Sequence, residues 1–150
     1  TNSSSTHALC IAKNHITDIN HIDFGKLTND THWTAKHDYQ YRADTVFAAI
    51  IGKYEYDPVK AFSRLGKLIN LLTLSNISYT FNFDEDYLEN NLPYVAEIDW
   101  IDTVLENEDN LLNFIFNDHS CFVTEDRDEV YRCGGWENLL NTEKCNIYVD

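Results

Sequence analysis

Between Leu68 and Asp126 the sequence has no lysine or arginine, and those 59 residues hold thirteen carboxylates. A stretch of one sign repels nucleic acid and attracts cationic partners, which excludes direct phosphate binding there. Eight basic and seven acidic side chains precede the block, three and five follow it, and the formal net charge is −14. The eleven basic residues are scattered, so no nucleic-acid footprint forms elsewhere either. No apolar run approaches the roughly 20 residues of a membrane-spanning helix. Thr1 to Thr6 lack the basic and apolar regions of a signal peptide. Only two prolines and five glycines are present, so few loops are forced. The glycine patterns of P-loops, dinucleotide sites and serine-hydrolase elbows do not occur.

What is present belongs to a folded protein. Of 150 residues, 43% are apolar and 13% aromatic, enough for one self-sufficient core, so residues 1–150 are expected to form a single domain. The cysteines Cys10, Cys121, Cys133 and Cys145 form no CxxC pair, and three lie in apolar, strand-like stretches. They read as reduced core thiols. Two disulfides are the alternative, with Cys121, Cys133 and Cys145, at intervals of twelve, as neighbours across adjacent strands.

The pattern predicts strands at both ends with helices between them. His7 to Ala12 is apolar on both faces, as in a central strand. Asn14 to His37 is polar and histidine-rich and reads as a long connection. A helix is expected from about Ala43 to Tyr56, with Phe47, Ile50, Ile51 and Tyr54 on one stripe. A second opens at Asp57-Pro58, a cap followed by proline at the first helical position. Its Val59, Phe62, Leu65, Ile69 and Leu72 recur at spacings of three and four, with Lys60, Ser63, Arg64 and Lys67 facing outward.

Ile77, Tyr79, Phe81 and Phe83 alternate with polar residues, the period of a half-buried strand. A helix after Pro93 carries Val95, Ile98, Ile101 and Leu105 inward and Glu97, Asp99, Asp102 and Glu106 outward. Glu108 to Phe116 reads as a further helix, a strand over Leu111 to Phe116 being the rival. Cys121 to Thr124 is a strand, Gly134-Gly135 a turn, Trp136 to Asn141 a short helix and Cys145 to Val149 a closing strand. The fold class is α+β, one mixed or antiparallel sheet packed with three to four helices.

None of the reactive residues forms a recognised constellation. Asp84-Glu85-Asp86 lacks the spacing and the glycine of a calcium loop, and suits a solvated turn. His15 and His21 are six apart and His32 and His37 five apart, neither of them the tight pair of a zinc helix. His119 and Cys121 share a strand face, but no third group orients the base. Thr1 as an N-terminal nucleophile has no further support. No catalytic residue, metal ligand or cofactor is therefore assigned, and an enzyme is not expected.

The opening Thr1-Asn2-Ser3-Ser4-Ser5-Thr6, followed by His7-Ala8-Leu9, resembles the (S/T)-N-S-S-S-(S/T) opening of uncharacterised proteins from tailed bacteriophages and some bacteria. The resemblance covers about nine residues and transfers no site. It implies a viral or mobile-element origin, in a virion or a bacterial cytoplasm. The first expectation is a non-enzymatic structural or assembly protein, a minor virion or capsid-decorating component that binds other proteins. It would dock through its aromatic and apolar surface and by strand addition along Ala8, Leu9, Cys10 and Ile11, leaving the acidic helix exposed or facing a basic neighbour. The alternative is an acidic inhibitor of a basic host enzyme, such as a nuclease immunity protein or a DNA mimic, with Glu97, Asp99, Asp102 and Glu106 as its contacts. A hydrolase or metal protein built on the histidine-rich loop is a third, weaker reading.

Overall fold

Strand β1 (Ser5–Ala12) lies at the centre of a three-stranded antiparallel sheet, between β4 (Cys121–Asp126) and β5 (Cys145–Val149). The structure, a computed structural model, describes residues 5–14, 18–25, 39–52, 54, 56–83, 100–140 and 145–149. The register sets Cys10 opposite Cys121 on one side of β1 and Leu9 opposite Tyr148 on the other. Apolar residues on both faces are what a strand covered on both sides requires. Leu9 and Ile11 enter the main core, while Ala8 joins a smaller cluster with Val130 and Trp136.

A second sheet is a parallel pair, β2 (His21–Phe24) with β3 (Ser78–Phe81). β2 falls inside the stretch read as a long connection; its two core residues, Ile22 and Phe24, are too few to register as a period among polar neighbours. Gly25 follows at φ +80° and donates its N–H to the buried Asp44 carboxylate at 2.6 Å. A parallel pair needs a crossover, which helices α1 (Tyr39–Ile51) and α2 (Pro58–Leu74) supply. The α+β class read from the sequence holds. The strands divide between two sheets, and six helices lie among the described residues.

Helix α1 starts four residues earlier than its apolar stripe suggested and stops at Ile51, leaving Tyr54 half exposed beyond it. It is buried almost all round, by Ala43, Val46, Phe47, Ala48, Ala49 and Ile50. Asp57 caps α2 by accepting from the Lys60 N–H at 3.0 Å, with Pro58 at the first position, as its sequence dictates.

The inward face of α2 differs from expectation. Ala61, Arg64, Leu68, Leu71 and Leu72 are buried, whereas Val59 and Phe62 are exposed. The helix carries two apolar stripes, and the one that turns inward brings Arg64 against a carboxylate.

Three of the remaining helices are short: α3 (Trp100–Val104), α5 (Arg127–Arg132) and α6 (Trp136–Leu139). Between them α4 (Glu108–Phe116) has the predicted limits, with the Asn107 side chain accepting from the Asn110 N–H. A strand over Leu111 to Phe116 is thereby ruled out. The chain reverses between α5 and α6 at Gly134 and Gly135, both at positive φ. One continuous apolar cluster joins residues of β1, β2 and α1 to α4.

Candidate functional site

Charge that is segregated along the sequence is paired in space. Arg42 of α1 is buried; its Nε donates to the Ile115 carbonyl at 2.8 Å and its Nη2 to Asp118 Oδ1 at 3.0 Å. Arg64 of α2 is buried as well and holds both carboxylate oxygens of Asp102, at 2.8 and 2.9 Å. Two carboxylates of the acidic block therefore serve the interior. An arginine fork matches a carboxylate in just this bidentate way.

This bears on the expected contact set. Asp102 is outward as expected, its side chain half exposed, and it also holds Arg64, because a buried guanidinium without a carboxylate is costly. Glu106 is exposed as expected, and Glu97 and Asp99 lie outside the described residues. The strand-addition surface is corrected. Ala8, Leu9, Cys10 and Ile11 are at most 2% exposed, and β1 is paired along both edges, which leaves no backbone there for a further strand. Among the described residues the outer edges of this sheet belong to β4 and β5.

The surface that stands out instead surrounds the start of α2. Tyr54, Tyr56, Val59 and Phe62 are 51%, 84%, 78% and 61% exposed. Tyr54 and Phe62 meet edge to face with centroids 5.6 Å apart. Lys60 and Lys67 are exposed on the same helix, which has no acidic residue. Sequence reasoning assigned Val59 and Phe62 to the core, since large apolar residues at helical spacing usually belong there. The second stripe through Ala61, Leu65 and Leu68 was the available sign that one of the two remains outside.

The reactive side chains gather in one polar ladder across β2 and β3. His21 Nδ1 is 2.7 Å from Ser78 Oγ, and Nε2 is 3.0 Å from Asp23 Oδ1 and 3.2 Å from Thr80 Oγ1. These are the residue types of a nucleophilic triad. The setting is wrong for one: the His21 and Asp23 side chains are 44% and 37% exposed. Ser78 Oγ also lies 3.1 Å from the Asn20 carbonyl, an acceptor that competes with the ring for its single proton. The ladder pins the parallel pair together.

His119 makes its contacts through its backbone, accepting from Cys145 Sγ at 3.8 Å and donating to Asn117 Oδ1, rather than as a base for Cys121. The four cysteines are free. Cys121 neighbours Cys10, not Cys133, which ends α5. Among the described residues no group of histidine, cysteine and carboxylate side chains is arranged to hold a metal ion. His15, His32, His37, Asp84 to Asp86 and Thr1 lie outside those residues. Among the described residues no helix is long and apolar enough to cross a membrane. No family model, curated protein or solved structure matches the chain.

Proposed function

We infer that this chain is a non-enzymatic assembly protein of the phage type, working by protein–protein binding as a minor virion or capsid-decorating component. The observation that carries the binding role is the aromatic surface of Tyr54, Tyr56, Val59 and Phe62 at the start of α2. Rigid aromatic side chains supply much contact area at little entropic cost and dominate interface energetics. Lysines beside that surface, on a chain of net charge −14, suit a virion neighbour whose apolar face is rimmed by carboxylates. The virion setting rests on the serine-rich opening motif. Sedimentation velocity of the pure protein and mass spectrometry of purified particles test this reading. The protein should travel with particles and be lost from them in Phe62→Glu; a free monomer missing from particles overturns it.

A second reading, an acidic inhibitor of a basic host enzyme, is supported by Glu106 and Asp109, both exposed. It requires association that slows steeply with salt and on reversal of those two acids to lysine.

A further inference from the structure

The three-stranded sheet assembles a thiol cluster that sequence spacing does not reveal. Cys10 of β1 stands directly opposite Cys121 of β4, and Cys145 of β5 stands opposite Ala12, two residues along β1 from Cys10. Side chains alternate along a strand, so all three cysteines share the sheet face of Ala8, Val123 and Ile147. Opposed residues of antiparallel strands have Cα atoms about 4.5–5.5 Å apart. That lies within the roughly 4.4–6.8 Å that a disulfide spans.

The two facing thiols are unequal: their interaction raises the pKa of Cys10 and lowers that of Cys121. Burial pushes Cys10 up further, and the charge of Arg42 helps to lower Cys121. Cys10 is 2% exposed and Cys121 is partly exposed, so a reagent meets the pair from the Cys121 side. Cys145 keeps its proton: burial raises its pKa, and its Sγ donates to the His119 carbonyl.

We propose that Cys10 and Cys121 form a redox-active dithiol, which a low-molecular-weight disulfide such as oxidised glutathione converts into a cross-strand disulfide. Cys121, having released its proton to solvent, attacks one sulfur of glutathione disulfide. That S–S bond breaks, and one glutathione leaves as a thiolate that takes up a proton. Cys10 then loses its proton and attacks Sγ of the mixed disulfide on Cys121, expelling the second glutathione. Two protein thiols are oxidised, and one glutathione disulfide is reduced to two thiols. The product ties β1 covalently to β4 with little movement, because the register already holds both ends.

The experiment uses the intact, unsubstituted protein, equilibrated in glutathione redox buffers, alkylated with iodoacetamide, digested and mapped by mass spectrometry. The expected result is a Cys10–Cys121 cross-linked peptide, with Cys133 and Cys145 alkylated. Cys10→Ser should stop at a stable glutathione adduct on Cys121, and Cys145→Ser should leave the cross-link unchanged. Alkylation of all four cysteines, a cross-link from Cys121 to Cys145 or Cys133, or cross-links only between molecules would each overturn the proposal. The mapping of the unsubstituted protein decides the matter even where a serine variant fails to fold.

Discussion

Arg64 and Asp102 meet in two parallel hydrogen bonds, Nε to Oδ1 at 2.8 Å and Nη2 to Oδ2 at 2.9 Å, that fasten the middle of α2 to α3. The guanidinium is buried, whereas the Asp102 side chain is 53% exposed. Solvent thus shares the carboxylate, and the pair is worth less than a fully enclosed one. Asp102→Ala should destabilise the fold by about 1–3 kcal/mol, chiefly by stranding the buried charge. Glu106→Ala, on the open surface nearby, should stay within about 0.5 kcal/mol of the parent. Urea denaturation with an unchanged slope checks both. Equal effects would mean that Asp102 carries no internal role.

Ser120, just before β4, links β1 to α4 through one hydroxyl. Its Oγ accepts from the Ala12 N–H and donates to the Asn113 carbonyl, both at 2.8 Å, and the residue is fully buried. Ser120→Ala strands the Ala12 N–H, while the Asn113 carbonyl keeps the Asn117 N–H, at a cost of about 1–3 kcal/mol. Ser120→Thr keeps the hydroxyl and should recover part of that loss, read from the thermal midpoint.

Two glycines should respond to alanine with opposite signs. Gly66 lies on the exposed side of α2 with open space where a Cβ would stand. Gly66→Ala should therefore stabilise by about 0.5–1 kcal/mol through helix propensity. At Gly25 the backbone sits at φ +80°, and a Cβ would collide with the Asn82 carbonyl oxygen. Gly25→Ala should destabilise clearly, because neither the turn nor the backbone beside it can yield. Paired chemical denaturation curves give both signs.

The aromatic surface on α2 should separate binding from folding. Phe62→Glu places a charge where the side chain is already in water, so stability should move by no more than about 0.5 kcal/mol. Association with a partner should fall by a factor of ten or more, as for loss of an aromatic anchor worth about 2 kcal/mol. Light scattering and particle co-sedimentation read the second effect, circular dichroism the first. A large drop in stability would instead place Phe62 in the interior.

Local signals were legible in the sequence. Asp57-Pro58 marks the start of α2, Gly134-Gly135 the turn, and the acids Glu108 and Asp109 the opening of α4, because each acts within a few residues of itself. Distant relations were not. Arg64 reads as a surface residue until Asp102, 38 positions away, is brought to it. Phe62 reads as core because the pattern offers α2 two stripes, and tertiary packing decides between them. The cysteine pairing was hidden for the same reason: the partner of Cys10 is fixed by register with a strand more than a hundred residues later. Within the candidate site, exposure of Tyr54 and Tyr56 follows from α1 stopping at Ile51, a boundary its apolar stripe overran.

The central place of β1 has a consequence for synthesis. Ala8 finds one neighbour at Val123 and the other at Val149, so the strand of this sheet that is translated before the other two is also the one they must enclose. Until the ribosome has delivered both flanking segments, Leu9 and Ile11 have no sheet to enter, and such long-range closure slows folding. The nascent chain therefore carries an aggregation-prone segment until β4 and β5 emerge, and chaperone dependence during expression should track how long that segment waits.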